Sequence, residues 1–250
     1  MCQNHGAANP GGLWYKRDMI PGSDLKNPFP ACPILVFGGG GHGKAIIDLL
    51  RALQTYDLVG IIDDGIPPGS LVMGVPVLGG ADVLSEWRSR GVTLAVNAVG
   101  GIGNVAARLQ VFDLLSAAGF TCPQIVHPQA MIEPSASLEE GVQVLARAYI
   151  GSDVRIGFGS LVNVGAILSH DCILGRVVNI SPGAMLAGGV RVDDHAQIGM
   201  GVTINVNLTV GSGARVGNGA TVKADVPPGG RVFAGATYPE PRLKPPVESV

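Results

Sequence analysis

The chain has 250 residues, enough for two domains with buried cores, and its formal net charge of −2 offers no basic footprint for nucleic acid or an acidic membrane surface. Only 14% of the residues are charged, and no apolar run reaches the roughly 18–20 residues of a membrane span. The four cysteines, Cys2, Cys32, Cys122 and Cys172, are scattered and form no CxxC pair, which points to free thiols in a reducing cytoplasm.

Residues 1–33 are rich in Gly, Pro and Asn and lack the basic start and apolar core of a secretion signal. They are expected to form a loosely ordered extension, with Trp14 and Tyr15 able to dock it locally. A short apolar strand over 34–37 then runs into Gly38-Gly39-Gly40-Gly41-His42-Gly43. An amphipathic helix follows, with Ala45, Ile46, Leu49, Leu50 and Leu53 on one face. In a strand, glycine loop and helix, the backbone amides and the helix N-terminus suit a phosphate or pyrophosphate.

A second strand over 58–62 ends in Asp63-Asp64, and Asp63 lies 20 residues beyond Gly43, where an acidic side chain can take ribose hydroxyls. A helix over 81–90, a strand over 94–99, a second glycine loop from Gly100 to Asn104, a helix over 105–118 and a last strand over 122–126 complete the pattern. Residues 34–125 therefore read as a small Rossmann-like α/β domain. Its glycine motif alone is also compatible with a purely structural turn or with a dinucleotide cofactor, although the half-length sheet favours a single nucleotide.

From Val126 to Val222 every sixth residue is Val, Ile or Leu without exception. A second series four residues further on is small or aliphatic, among it Ala148, Ser160, Ala166, Cys172 and Ala196. No α-helix has a period of six, and a lone strand has a period of two; a strict six-residue period is the mark of a parallel β-helix of hexapeptides. The branched residue fills the interior of a triangular coil, the small one lets the corner close, and glycines such as Gly151, Gly157, Gly199, Gly211 and Gly217 follow the branched residue, where a turn is expected. The β-helix is assigned to 126–226 and a tail to 227–250.

In this phase Leu168 and Cys172 point inward, so Cys172 is a core thiol and Ser169-His170-Asp171 form an outward corner. A histidine beside a carboxylate can serve as general base, because imidazole titrates near neutrality. His195, preceded by Asp193 and Asp194, sits on another corner, and His127 reads as a junction residue. Spacing alone does not choose between His170 and His195. The histidines show no metal-ligand spacing.

Phe37-Gly38-Gly39-Gly40-Gly41-His42-Gly43, Asp63-Asp64, Gly74-Val75-Pro76-Val77 and His170-Asp171-Cys172 inside a hexapeptide β-helix together resemble one family. The pattern is similar to the bacterial sugar acetyltransferases that N-acetylate nucleotide-linked 4-amino-4,6-dideoxyhexoses, with sialic acid O-acetyltransferases as relatives. The resemblance covers about residues 33–238. It implies a left-handed β-helix, a homotrimer, acetyl-CoA as co-substrate, no metal, a nucleotide-sugar held by the N-terminal domain, and transfer between adjacent β-helices.

By the same resemblance His170 is the base and Asp171 the acid that orients it. Gly40, Gly41 and His42 bind the nucleotide-sugar, with Asp63 and Asp64 on the nucleoside side, Gly100 as a further substrate contact and Asn163 near the sugar amine. Asn179, Gly188, Met200 and Asn218 fall where the family lines the CoA channel. Two departures stand out: Asn179 occupies a position where several members carry a second histidine, and the Gly100–Asn104 loop is longer than usual. Three readings follow, namely a sugar N- or O-acetyltransferase, a non-catalytic nucleotide-sugar-binding scaffold, and a nicotinamide-dependent oxidoreductase suggested only by the glycine loop.

Overall fold

The structure is a computed structural model that describes residues 31–240. The extension up to residue 30, with Trp14 and Tyr15, and residues 241–250 of the tail lie outside the described residues.

The N-terminal part is a parallel α/β unit. Its elements are β1 (Cys32–Phe37), α1 (Gly41–Leu53), β2 (Tyr56–Ile62), β3 (Leu71–Val72), β4 (Val75–Gly79), α2 (Leu84–Ser89), β5 (Leu94–Asn97) and α3 (Val105–Ala117). β1 takes in Cys32 and Pro33, which the sequence reading placed in the extension. The sheet order is β3-β4-β2-β1-β5, with every pair parallel except the β3–β4 hairpin. That hairpin was not expected. Gly74-Val75-Pro76-Val77 begins its second arm, and Met73 and Gly74 make its turn with positive φ angles of 51° and 78°, the twist that two-residue hairpins favour.

Alternation along β1 builds two cores. Ile34 and Val36 pack with Ile46, Ile47 and Leu50 of α1, whereas Leu35 and Phe37 pack with Val111, Phe112 and Leu115 of α3.

The rest is a left-handed parallel β-helix with three faces. The first face runs from strand Ile125–Val126 to Arg231–Val232, the second from Met131–Ile132 to Thr237–Tyr238, and the third from Ser137–Leu138 to Thr209–Val210. Ile150 pairs with Leu168 and Val162 with Ile180, so each coil stacks on the next with the same residue type inside. Val144, Ile150, Val162, Leu168, Ile180 and Ile198 are fully buried, and each such side chain contributes about 1.5–3 kcal/mol.

Three expectations are corrected here. The positive φ of the corners from residue 141 to 219 falls three residues after the branched position, at Gly159, Gly165, Gly183 and Gly201 among others, not one residue after it. Glycines 151, 157 and 199 are required instead by the neighbouring coil: a Cβ at Gly157 would stand 2.6 Å from Gly175 O, and one at Gly151 2.9 Å from His170 N. Residues 122–126 are not a strand of the α/β sheet. Thr121 only bridges to Leu94, and Ile125–Val126 is the first strand of the β-helix, paired with Gln143–Val144. The β-helix also continues past residue 226. Val226 bridges to Val210, and Val232 and Tyr238 continue the other two faces at the same six-residue step after a coil shortened by two residues.

The α/β unit docks on the first face. Ile125, Leu145 and Leu161 of the β-helix extend the core on the α1 side, and Val177 joins the core on the α3 side. Among the described residues no helix is long and apolar enough to cross a membrane.

Candidate functional site

In this sheet α1 carries the chain from β1 to β2, while β5 lies on the other side of β1. The crevice at the carboxyl ends of β1 and β5 is where open parallel sheets hold ligands. The fold itself demands two of the loop glycines. Gly38 has φ +111° against the backbone of Ala98, and a Cβ on Gly43 would overlap the carbonyl of Gly38. Gly40 and Gly41 are different, for a Cβ on either would meet nothing within 4 Å. No side chain caps the start of α1, so open backbone and uncapped helix amides face the same space.

Asp63 and Asp64 line a cleft of about 290 Å³ with Phe37, Gly38, Val99 and Val111. Asp63 is committed to the loop: its Oδ2 accepts from Gly39 N at 2.7 Å and its Oδ1 from Gly65 N at 2.8 Å. It clasps the glycine loop from the wall of the cleft. Asp64 uses only Oδ1, which accepts from Ala81 N.

His42 reaches the β-helix. Its Nε2 lies 2.8 Å from Gln143 Oε1, and Gln143 Nε2 donates to Asn97 O at 2.7 Å. Asn97 Nδ2 donates to Arg108 O, and the Arg108 guanidinium donates to the carbonyls of Asn97, Val99 and Gly159. Gln143, Asn97 and Arg108 are all buried. Burial holds the His42 imidazole down to about 4, with the Arg108 charge acting in the same direction against the Gln143 hydrogen bond. Burial also lowers the Arg108 guanidinium to about 10, which leaves it charged at neutral pH.

The second glycine loop lies over the first face. Gly100 sits beside His42. Gln197 Nε2 donates to Gly101 O, and Gly103 N donates to Gln197 Oε1. The extra length of this loop is thus anchored by a side chain of the β-helix. Asn179 lies directly beneath it. A Cβ on Gly101 would overlap the Asn179 amide, Asn179 is only 3% exposed, and its Nδ2 donates to Ser181 Oγ. Asn179 thus supports the loop from below.

His170 and Asp171 occupy the exposed edge between the second and third faces. Asp171 takes φ 60°, which Asp tolerates better than most residues, and its Oδ2 accepts from His170 Nδ1 at 2.7 Å. Gly188, one coil further on, forms the floor under the ring: a Cβ there would fall 2.5 Å from Cε1 and 2.6 Å from Nε2 of His170. His195 differs in two ways. It lies on the edge between the third and first faces, with its own φ at 64°, and Asp194 beside it accepts from Arg176 N. Hexad phase, two residues after Leu168 against three after Val192, already separates the two histidines.

Asn163, Met200 and Asn218 fall on the edge between the first and second faces. Asn163 Oδ1 accepts from Val164 N. Asn218 Oδ1 accepts from Met200 N and so braces two coils. His127 Nδ1 accepts from Gln129 N, as a junction residue does. Cys172 is fully buried, and burial pushes its thiol up to about 11, which rules it out as a nucleophile. Among the described residues no three His, Cys, Asp or Glu side chains are grouped to hold a metal ion.

Residues 33–115 match the family model of the PglD N-terminal domain. PerB from Caulobacter crescentus, solved in complex with CoA and GDP-perosamine, is 33% identical, with TM-score 0.76, and the match covers 81% of this chain and 94% of that one. The acetyltransferase domain of PglB from Neisseria gonorrhoeae FA1090, solved with acetyl coenzyme A, is 36% identical, with TM-score 0.75 and coverage of 83% and 98%. The GDP-perosamine N-acetyltransferase of Escherichia coli O157:H7 is 28% identical over 171 residues, 66% of this chain and 74% of that protein.

The chain belongs to the sugar N-acetyltransferases of the hexapeptide-repeat superfamily.

Within one protomer of this acetyltransferase the expected site residues fall into three places. Gly40, Gly41, His42, Asp63, Asp64 and Gly100 belong to the unit on the first face. Asn163, Met200 and Asn218 follow one edge, and His170, Asp171 and Gly188 follow another, the edge opposite the first face. The sequence reading missed the buried polar set of the acetyltransferase: Asn97, Arg108, Gln143 and Gln197. Gln143 and Gln197 share the outward hexad position with Asn179 on the same face, three amides in four successive coils with Leu161 between the first two, which a search by coil would have picked out.

Proposed function

We propose that this acetyltransferase transfers the acetyl group of acetyl-CoA to the 4-amino group of a nucleotide-linked 4-amino-4,6-dideoxyhexose, with His170 as general base. The observation that carries the reading is the His170–Asp171 pair, held over Gly188 on an open edge. The Asp171 carboxylate accepts only, so Nδ1 bears the proton and Nε2 keeps the lone pair. The amine nitrogen attacks the thioester carbonyl carbon and Nε2 takes the amine proton. The C–S bond then breaks, and the imidazolium returns the proton to the departing CoA sulfur. Asp171 stabilises the imidazolium between these steps. A backbone N–H at Gly188 serves the oxyanion. Base catalysis of this kind contributes about 10²–10⁴-fold, and the rest comes from holding amine and thioester together.

The nucleotide end sits in the crevice of the α/β unit, with its pyrophosphate on the open backbone of Gly40 and Gly41. Because His170 lies on the edge opposite the first face, this crevice and this base do not meet within one protomer. The site is completed between copies, and a homotrimer closes it three times. The second face supports that assembly: Met131, Ile167 and Met185 point outward in one stripe, each more than a third exposed, with Val164 on the adjoining edge.

Thiol release from acetyl-CoA against UDP-, dTDP- and GDP-linked 4-amino sugars and free sialic acid tests the reading. Turnover of a nucleotide-linked 4-amino sugar is expected. Turnover of sialic acid alone would make the chain an O-acetyltransferase. Binding of the nucleotide-sugar without thiol release would make it a scaffold.

A further inference from the structure

We propose that Gln143 is a positioning residue that sets the tautomer of His42, so that His42 meets the bound nucleotide-sugar as a neutral hydrogen-bond acceptor through Nδ1 and not as a cation on its phosphates. The inference rests on the nucleotide-sugar reading of the crevice.

The orientation of the Gln143 amide is decided by its other partner. Asn97 O can only accept, so the group 2.7 Å from it is the Gln143 NH₂. The Gln143 oxygen therefore faces His42, and it too can only accept. The ring nitrogen at 2.8 Å, Nε2, must carry a proton. A flipped amide would set oxygen against the Asn97 carbonyl, opposing two acceptors and losing that bond inside a buried network. That network does not yield easily: Gln143 is 1% exposed, Asn97 0% and Arg108 1%. Arg108 also donates to the same Asn97 carbonyl and ties it to Gly159 of the β-helix.

With Nε2 protonated, a neutral imidazole has its lone pair on Nδ1. A second proton is opposed. Arg108 on α3 is the charged group that bears on the ring, the first face offers it only the uncharged Gln143, and burial holds it down to about 4. His42 is the second residue of α1, beside the uncapped amides and the open backbone of Gly40 and Gly41. The backbone can serve the phosphates there. The lone pair on Nδ1 then suits a donor, a hydroxyl or amine of the sugar.

The experiment pairs nitrogen NMR of histidine-labelled protein with kinetics of Gln143→Glu, which has the same shape but puts a carboxylate against Nε2. In the wild type, His42 should show the Nε2–H form and no titration between about pH 5.5 and 8, and the KM for the nucleotide-sugar should be flat over that range. In Gln143→Glu, His42 should titrate within the range. Its nucleotide-sugar KM should rise about tenfold toward the acid end, the loss of one hydrogen bond, with kcat and the KM for acetyl-CoA unchanged. A wild-type His42 that is protonated on Nδ1, or charged at pH 7, overturns the proposal. So does a Gln143→Glu variant whose His42 titrates while its KM stays flat. If that variant does not fold, Gln143→Met with the same two readouts replaces it, and there the NMR should show His42 losing its fixed Nε2–H form. The NMR needs no substrate, so it decides the tautomer even if no nucleotide-sugar is turned over and the proposed function falls.

Discussion

The imidazole of His170 rests on the Cα of Gly188 in the next coil, so closely that a methyl group there would come within 2.6 Å of Nε2. Gly188 has no positive φ to explain it, unlike Gly189 beside it at 68°; the ring is what requires the glycine. Gly188→Ala should therefore push the imidazole off its seat without disturbing the coil. kcat is expected to fall about 10–100-fold, part of the full value of the base, with the melting temperature unchanged. A variant with wild-type kcat would show that the seat does not matter.

His170→Ala should lower kcat by about 10²–10⁴-fold and leave the protein folded, because the side chain is exposed. Asp171→Asn should fall between, since it keeps an acceptor for Nδ1 but loses the charge that stabilises imidazolium. His195→Ala should retain most activity, because His195 stands on a different edge and its neighbour Asp194 is occupied by Arg176 N. Initial rates at saturating acetyl-CoA distinguish these variants, and inactivity of His195→Ala with activity of His170→Ala would move the base to the other edge.

Asp63 clasps the glycine loop with both carboxylate oxygens. Asparagine can accept with only one, so Asp63→Asn should cost about 1–3 kcal/mol in stability, the loss of one hydrogen bond to a charged group. It should also raise the nucleotide-sugar KM about tenfold while the KM for acetyl-CoA holds. Denaturant titration and the two KM values check this, and equal effects on both substrates would count against a nucleotide crevice in the α/β unit.

Acid should destabilise the protein partly through His42. Its ordinary value of 6.5 is lowered to about 4 in the fold, first by burial. Below about pH 6.5 the unfolded chain takes up a proton that the folded one refuses, so stability falls as pH drops from about 6.5 to about 4 and this loss then levels off. The full effect is about 3 kcal/mol. Urea midpoints across that window should drop more steeply for the wild type than for His42→Gln, which has no proton to gain. Parallel curves would mean that His42 is accessible and titrates normally.

Ile167→Lys or Met185→Lys, on the outward stripe of the second face, should break the proposed trimer and abolish activity while the circular dichroism of the β-helix persists. Light scattering reads the mass. A monomer with full activity would show that one protomer holds a complete site.

The period of six was enough to establish a β-helix, and with it that Val162, Leu168 and Cys172 face inward and that His170 and Asp171 do not. The reason is that the interior of a triangular coil admits only residues of fixed size at fixed phase, so the constraint is written locally. Val226, Val232 and Tyr238 resume the six-residue step only after a slip of two residues, and that slip hid the continuation of the β-helix from a strict period of six. The strand, glycine loop and helix at 34–53 were equally legible, since backbone conformation and helix amphipathicity are local properties.

The outward positions were not legible in this way. Gln143, Asn179 and Gln197 look like solvent-facing amides in the sequence, and polar residues suit an outward position whether water or another domain covers it. Only docking of the α/β unit on the first face buries them, through contacts such as His42 with Gln143 and Gly103 with Gln197 that join residues 101 and 94 positions apart. That docking sets Asn179 beneath the Gly101 loop. It also placed the crevice of the α/β unit and His170 on opposite sides of the chain, because a triangular prism sets every face against the edge where the other two meet.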